Sequence, residues 1–239
     1  MNSDLQRELM AALERPHRLG TIGGDLEEQL AHCASFSSVL SQVGIKETGR
    51  GIDLGTGGGL PGLALAAMWP AIMWTLVDMR VARATEVERC ALALGLGDRT
   101  EVVGIEAQQL GHDEHHRERY DVVVARAFGP ASITAECAAG LVRVGGVFVV
   151  SEPPEQVDDT GEPRWDTTAL QTMGFAGPIL YEIDVAPGFG NTANTGDGNT
   201  AGTGGAKARF AVFEKESAAP KAIPRLPARS NRGWYRAPS

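Results

Sequence analysis

The chain has 239 residues, 43% of them hydrophobic and 22% charged, and a formal net charge of −8; these values are ordinary for a soluble globular protein. They argue against a membrane-spanning protein, because no apolar run approaches the roughly 20 residues that cross a bilayer. The first residues have neither the basic region nor the apolar core of a secretory signal, so we expect a cytoplasmic protein.

Two helices are predicted at the N-terminus, over residues 4–14 and 25–43. The second has apolar residues at helical spacing, and Gly44 follows it as a stop signal. We treat residues 1–44 as an N-terminal helical extension and residues 45–216 as the main domain.

Strands and helices alternate through the main domain. Strands are predicted at 51–54, 72–78, 101–105, 120–126 and 146–150, with helices at 60–68, 81–95 and 131–141. The helix at 81–95 has its small and apolar residues on one face and its charged residues elsewhere, a pattern suited to covering a parallel sheet. This alternation predicts an α/β fold with a doubly wound, mostly parallel sheet.

A glycine-rich turn follows the first strand of this domain. Residues 53–62 read DLGTGGGLPG, so Asp53 precedes a run of closely spaced glycines. A nucleotide cofactor needs a tight turn here, a backbone without Cβ atoms in the way, and the exposed amides of a helix N-terminus. We therefore predict a cofactor site on Gly55, Gly57 and Gly59.

Asp78 ends the next apolar strand, roughly 20 residues past the glycines, where a ribose-binding carboxylate is expected. Residues 57–62 also satisfy the nicotinamide fingerprint G-x-G-x-x-G, so two cofactor classes remain open. Asp53 favours S-adenosylmethionine, because a carboxylate beside the loop attracts a cationic sulfonium and repels a pyrophosphate. The competing interpretation is that Asp53 only caps the turn.

These residues resemble the glucose-inhibited division protein B family, methyltransferases that act on small-subunit ribosomal RNA. The loop is close to that family's Asp-x-Gly-Thr-Gly-x-Gly-Leu-Pro-Gly signature, in which Leu-Pro-Gly is the distinctive part. The similarity continues through residues 78–80, Arg83, residues 94–96 and the VARAF segment at 124–128. It covers about residues 50–150.

The resemblance implies that S-adenosylmethionine is the cofactor. It also implies that Leu60, Ala107, Gln108 and Arg126 line the cofactor cleft together with Asp78 and the glycines.

Four residues depart from the family pattern or match it loosely. Gln108 stands where the family usually has glutamate, and Ser151-Glu152 stands where it typically has lysine and glycine. His32 corresponds loosely to a family histidine.

The end of the chain has a different organisation. A short helix is predicted near 166–173 and strands at 179–185 and 207–214; class I methyltransferases finish their sheet with such a pair, the last strand antiparallel. Residues 187–206 are rich in Gly, Asn and Thr and are predicted to be a flexible insertion. Residues 217–239 carry +5 without any acid, which leaves −13 on the rest of the chain. We predict a disordered basic tail that either contacts RNA or only solubilises the protein.

No metal site is predicted. The HDEHH run at 112–116 lies in a polar connection, where solvated charged loops are far commoner than metal sites. The three cysteines are widely spaced in predicted helices, which indicates buried thiols rather than a disulfide or metal framework; they are Cys33, Cys90 and Cys137.

Arg126 is the predicted catalytic residue. It ends its strand, where it can contact the cofactor or a guanine, since arginine and guanine make geometrically favoured contacts; the alternative is an ion pair with Asp78 or Asp121. Guanine nitrogen-7 has a lone pair and no proton to lose, so no general base is needed, and the sequence shows none. An exocyclic-amine enzyme would show Asn/Asp-Pro-Pro-aromatic where residues 126–129 read RAFG.

We therefore expect a monomeric S-adenosylmethionine-dependent methyltransferase that modifies a guanine nitrogen-7, with ribosomal RNA or the small ribosomal subunit as its partner. A small-molecule methyltransferase and a noncatalytic cofactor-binding or ribosome-associated module remain alternatives. A nicotinamide oxidoreductase is a more distant one.

Overall fold

A computed structural model of the chain describes residues 1–153, 163–185, 206–226 and 233–236. The strands are β1 (Gly49–Leu54), β2 (Ile72–Val77), β3 (Thr100–Val103), β4 (Tyr120–Ala125), β5 (Val142–Glu152), β6 (Phe175–Asp184) and β7 (Lys207–Lys215). The helices are α1 (Ser3–Arg18), α2 (Leu26–Gln42), α3 (Gly62–Met68), α4 (Val81–Ala93), α5 (Ala107–Leu110), α6 (Ala131–Leu141) and α7 (Thr167–Thr172).

All seven strands form one sheet in the order β3-β2-β1-β4-β5-β7-β6. Strands β1 to β5 pair in parallel, and β7 lies antiparallel between β5 and β6. The prediction of a doubly wound, mostly parallel sheet with an antiparallel last strand is confirmed. The strand order reverses between β1 and β4, and in open sheets of this kind ligands bind outside the carboxyl ends of the strands at such a point.

The central strands are buried on both faces, which explains their nearly continuous apolar sequences. In β4, for example, residues 122–125 are completely inaccessible to solvent. Helices α1 to α4 pack on one face of the sheet, and helices α5 to α7 pack on the other.

The N-terminal helices are integrated into this fold. Each begins at a side-chain cap: Asn2 Oδ1 accepts the Leu5 amide at 2.8 Å, and Asp25 Oδ1 accepts the Glu28 amide at 3.0 Å. Their buried side chains, such as Leu13 in α1, belong to the same core cluster as Val122 and Val124 of β4. Residues 1–44 therefore complete one helical layer of the main domain.

The described part of the basic tail differs from its prediction. Residues 217–226 and 233–236 pack against the layer of α6 and α7, where Ile223 is fully buried and Tyr235 is 7% exposed. Arg225 makes an ion pair with the buried Glu136 carboxylate of α6. The prediction of disorder is wrong for these residues, because apolar side chains between the cations, such as Ile223 and Tyr235, are buried in the core.

Other sequence-based expectations concern parts of the chain that the structure covers incompletely. The insertion predicted at 187–206 lies, apart from Ala206, outside the described residues. Within the described ranges, no helix combines the length and the apolar character needed to cross a bilayer.

Candidate functional site

The glycine-rich loop connects β1 to α3 at the carboxyl edge of the sheet. Gly55 has a φ of +69°, and a Cβ atom at this position would lie 2.6 Å from Cδ2 of Phe128. Only glycine combines that left-handed backbone with that close approach. The loop is therefore held against the segment that follows β4.

Asp78 connects the loop to the end of β2. Its Oδ2 accepts the Gly57 amide at 3.1 Å and its Oδ1 accepts the Arg80 amide at 2.8 Å. The Arg83 guanidinium lies 3.8 Å from the same Oδ2. A carboxylate has about four acceptor positions, so Asp78 retains capacity for further donors.

A cavity of about 430 Å³ lies beside these residues, and we call it the cofactor cavity. Four of the predicted cofactor residues line it: Gly55, Asp78, Ala107 and Gln108. Its apolar lining is formed by Met79, Ile105, Phe128 and Ile133. The volume falls within the range of about 300–1,000 Å³ that is typical of small-molecule sites.

Asp53 lies beneath the loop and does not line this cavity. It is completely buried, and its Oδ2 accepts the amide of Gly62, the first residue of α3, at 2.9 Å. Burial raises the pKa of Asp53 to about 6, although the Gly62 amide and the Arg126 charge lower it. Its Oδ1 has no hydrogen-bond partner among the residues that the structure describes.

The remaining predicted loop residues lie in the loop but do not line the cofactor cavity. Leu60 is 4% exposed and packs in the core, and a Cβ atom on Gly59 would lie 2.5 Å from the Leu63 side chain. Gly57 contributes through its amide to Asp78. The structure thus places Gly57, Gly59 and Leu60 in the loop but not on the cavity surface.

Arg126 was predicted to line the cofactor cleft, but it lines a second cavity, of about 590 Å³, and not the cofactor cavity. We call this second cavity the acceptor cavity, because Arg126 is the residue predicted to contact the guanine acceptor. Its wall includes Glu28, Gln29 and His32 of α2, and Lys207 of β7. Ala127 lines both cavities and has a φ of +51°, which is rare for a residue other than glycine. The two cavities therefore adjoin at Ala127.

His32 lies between the acceptor cavity and the core. Its ring packs against Phe36 and Phe210 with centroid distances of 5.5 Å. Burial, together with the Arg126 charge, lowers the pKa of His32 to about 4, so the imidazole is neutral at physiological pH. Its Nδ1 is buried and has no hydrogen-bond partner within the described parts of the chain.

Several cavity residues carry no signal that sequence reasoning could use. Glu28, Gln29 and Lys207 belong to no motif, and only folding brings α2 and β7 to the end of β4. Ile105 is different, because it closely follows the β3 strand and residues just past strand ends are expected near the site of such a sheet.

The HDEHH run is used for contacts with neighbouring segments. His112 Nε2 lies 2.6 Å from the Pro224 carbonyl oxygen, and His116 Nδ1 lies 2.5 Å from the Tyr120 hydroxyl. In the ranges that the structure describes, no group of three or more His, Cys, Asp or Glu side chains is arranged to hold a metal ion.

Comparison with solved structures identifies the fold. StiE O-MT superposes with a TM-score of 0.54 at 12% identity, over 78% of this chain and 74% of that one. MtNAS, solved in complex with MTA and tNA, superposes with a TM-score of 0.51 at 14% identity, over 78% of this chain and 61% of that one. These likenesses support the class I methyltransferase fold and nothing finer.

Comparison of sequences is more specific. The Ribosomal RNA small subunit methyltransferase G of Alkaliphilus metalliredigens is 26% identical over 221 residues, which is 92% of this chain and 84% of that protein. The protein of the same name from Deinococcus radiodurans is 38% identical over 133 residues, which is 56% of this chain and 50% of that protein.

A family model described as rRNA small subunit methyltransferase G matches residues 24–171. The matched range contains the glycine loop, Asp78, Ala127 and the α2 residues of the acceptor cavity. Because this match spans well over half of the sequence and both cavities have walls within it, the chain belongs to the rRNA small subunit methyltransferase G (GidB) family.

Proposed function

We propose that this chain transfers a methyl group from S-adenosylmethionine to nitrogen-7 of a guanine in small-subunit ribosomal RNA. One observation carries the proposal: the cavity beside the glycine loop and the cavity beside Arg126 adjoin at Ala127. A methyl donor in the first and a base in the second would have their reacting atoms on either side of one residue. Such a substrate agrees with a cytoplasmic protein.

The residues of the cofactor cavity fit S-adenosylmethionine. Asp78 offers acceptor positions for the ribose hydroxyls, and the side chains of Met79, Ile105 and Phe128 offer an apolar site for adenine. S-adenosylmethionine supplies a methyl group made electrophilic by a positively charged sulfur.

Asp53 supports the assignment of this donor over a dinucleotide. Its carboxylate is buried beneath the loop with one oxygen unpartnered among the described residues, so its negative charge is weakly screened. A charge in that place attracts a sulfonium and repels a pyrophosphate. The proposal therefore favours the methyl donor over a nicotinamide cofactor.

The acceptor cavity fits a guanine whose nitrogen-7 attacks without prior loss of a proton. Arg126 can donate to the guanine O6, which leaves the adjacent nitrogen-7 lone pair free for the methyl group. The neutral ring of His32 has a buried, unpartnered Nδ1 at this wall, as far as the described residues show, and a substrate could satisfy it. Catalysis would then rest on alignment of the two reactants and on exclusion of water.

Transfer of label from the methyl donor tests the proposal. The protein is incubated with S-adenosylmethionine labelled in its methyl group and with small ribosomal subunits from cells that lack the protein. We expect label in the ribosomal RNA as 7-methylguanosine. Absence of label from the RNA, with a folded protein that binds the donor, would overturn the ribosomal substrate.

A small-molecule acceptor is the second candidate, and the charge of the chain favours it. The net charge of −8 is unfavourable for a protein that approaches a phosphate backbone, and Glu28 lines the acceptor cavity. A metabolite pool from the same cells therefore forms a parallel arm of the labelling experiment, and label in that pool alone would select this candidate.

A further inference from the structure

A third cavity, of about 340 Å³, adjoins the acceptor cavity at the start of β7. Its lining residues are His32, Glu152, Lys207, Ala208 and Arg209. His32, Lys207 and Ala208 also line the acceptor cavity, so the two cavities form one continuous depression. We call this depression the β7 groove; it leads from Ala127 to the end of β5 and the start of β7.

The position of Lys207 follows from the direction of β7. Because β7 runs antiparallel to β5, its first residues lie at the edge where the parallel strands end, and Arg209 pairs in register with Glu152, the last residue of β5. Lys207 therefore reaches the same edge as Arg126, although the two residues are far apart in sequence.

Lys207 is held by a surface carboxylate. Its Nζ lies 3.1 Å from Oε2 of Glu182 on β6, with 54% of the lysine side chain and 44% of the glutamate side chain exposed. Arg209 Nε lies 2.9 Å from the other oxygen of Glu182. Ion pairs this exposed contribute little stability, so a phosphate can replace the carboxylate readily.

Four carboxylates lie on or beside the groove: Glu28, Glu152, Glu182, and Asp184, which pairs in register with Lys207. Glu152 has only 3% of its side chain exposed; it accepts the Trp165 indole N–H at 3.1 Å and lies 3.5 Å from Arg164. Glu28 is the acid on the α2 side of the acceptor cavity. A phosphate that displaces Glu182 would lie beside Lys207, on the same cavity wall as Arg126, so these two cations provide its local site.

We propose that Lys207 binds a backbone phosphate of the RNA strand next to the target guanosine, and that Glu182 occupies Lys207 until the RNA replaces it. This inference rests on the proposed function, because the acceptor cavity defines where the guanosine lies. It assigns to β7 a sequence-independent contact that positions the strand, distinct from recognition of the base by Arg126.

Three variants test the inference. Lys207→Gln removes the phosphate contact, Glu182→Gln removes the competing carboxylate, and Lys46→Gln is the matched control, since Lys46 is exposed and precedes β1 at the opposite edge of the sheet. The dissociation constant of a short fluorescein-labelled single-stranded RNA is measured by anisotropy over a range of salt concentrations. Circular dichroism verifies that each variant is folded.

The two groove variants should have opposite effects. In Lys207→Gln, the loss of one phosphate contact should reduce the magnitude of the slope of log K, where K is the association constant, against log salt concentration by about 0.7. This change corresponds to RNA binding about fivefold weaker at 0.1 M salt. Glu182→Gln should tighten binding, because it removes the carboxylate that is paired with Lys207, and Lys46→Gln should match the unchanged protein.

Two results would overturn the inference: a Lys207→Gln protein that binds RNA as the Lys46→Gln control does, or a Glu182→Gln protein whose binding weakens together with that of Lys207→Gln. The second result would identify the pair as structural. Methylation of ribosomal subunits by the unchanged protein is measured separately. If the unchanged protein methylates the RNA while Lys207→Gln binds RNA as the control does, the inference is refuted and the proposed function stands.

Discussion

Ala127 shows how one residue organises the candidate site. Its left-handed backbone, at φ +51°, costs about 1 kcal/mol for a residue with a Cβ atom. It reverses the chain between Arg126, which lines the acceptor cavity, and Phe128, which contacts Gly55 in the cofactor cavity. The strain is located where the two cavities adjoin, at a residue that is exposed to solvent.

Replacement of Arg126 tests its proposed role. Arg126→Ala should lower kcat/KM for the ribosomal substrate about 5- to 160-fold, because a good arginine–base contact contributes about 1–3 kcal/mol. Steady-state kinetics with labelled donor measure the loss. Arg119→Ala is the matched control, since Arg119 is exposed and precedes β4 at the other end of the same strand. Equal turnover in the two variants would remove Arg126 from the reaction.

Asp53 connects pH to stability. Its pKa of about 6 in the folded protein lies above the ordinary value of 3.8, so the folded state holds this proton more tightly than the unfolded state does. The stability that protonation contributes is complete below about pH 4 and is lost as the pH rises through about 6. We expect Asp53→Asn to raise the free energy of unfolding by about 2–3 kcal/mol above pH 7 and to change it little near pH 4.

Urea titrations at the two pH values measure this difference. A change in stability of the same size at both values would show that the substitution acts through packing and not through the charge of Asp53.

The same substitution should weaken the preference for a cationic donor. The unchanged protein should bind S-adenosylmethionine more tightly relative to S-adenosylhomocysteine as the pH rises through about 6, because Asp53 ionises and only the first ligand carries a sulfonium. Calorimetric titration of both ligands measures the ratio. Asp53→Asn should make the ratio independent of pH, and a ratio that still rises would assign the effect to another group.

At the scale of elements, the loop between β1 and α3 depends on Gly55. Gly55→Ala should abolish cofactor binding, because the added Cβ atom meets Phe128 as well as an unfavourable backbone angle. Gly95→Ala is a matched control: Gly95 has a φ of +67°, and nothing lies within 4 Å of an added Cβ atom.

Both substitutions should cost about 1 kcal/mol of stability from backbone strain, and Gly55→Ala should cost more. Only Gly55→Ala should lose affinity for S-adenosylmethionine in calorimetry. Retention of normal affinity by Gly55→Ala would mean that the loop does not need its contact with Phe128.

The tail stabilises α6 through the pair of Arg225 and Glu136. Glu136 is 1% exposed and the Arg225 side chain is 15% exposed, so removal of the arginine leaves a buried carboxylate without its charge partner. Arg225→Ala should lower the free energy of unfolding by about 3 kcal/mol, near the low end for buried pairs because some water reaches the arginine. Chemical denaturation measures the loss, and a double substitution with Glu136→Leu should recover part of it.

A loss below about 0.5 kcal/mol in Arg225→Ala would place this tail segment among ordinary surface contacts. Because α6 follows directly on the segment that lines both cavities, cofactor affinity measured in the same variant shows whether the tail also supports the site.

For the whole molecule, the identity of the cofactor should appear as linkage to folding. A ligand that binds only the folded protein raises its stability by about 2.7 kcal/mol at one hundred times the dissociation constant. We expect S-adenosylmethionine to raise the melting temperature and NAD to leave it unchanged, as measured by calorimetric scanning. If NAD alone raised the melting temperature, the glycine loop would be identified as a nicotinamide-cofactor site.

The fold was largely predictable from local patterns. Continuous apolar runs in β2 and β4, the amphipathic spacing of α4 and the glycines after β1 are short-range features, and they determine where elements begin and end. The four-residue helix α5 was missed because it is too short for a periodic pattern to develop. Helix α3 begins at Gly62, two residues later than predicted, because the loop continues through Pro61.

The site was predictable only in part, because sequence patterns are local and the site combines residues that are distant in sequence. Gly55, Asp78, Ala107 and Gln108 line the cofactor cavity, as expected for residues near strand ends on one edge of a sheet. Asp53 shares that edge, yet it lies beneath the loop, because its carboxylate accepts the first amide of α3. Sequence spacing predicts at which edge of the sheet a residue lies, but it does not predict whether the side chain lines the cavity or is buried beneath it.

The sequence by itself determined the class of fold, the position of the loop and the kind of cofactor that suits it, because these depend on neighbouring residues. Tertiary structure alone decided that His32, Arg126 and Lys207 share one depression and that part of the tail closes over α6. Those contacts join segments separated by tens to hundreds of residues. Packing of helices on the sheet and the antiparallel return of β7 create them, and no local pattern encodes such an arrangement.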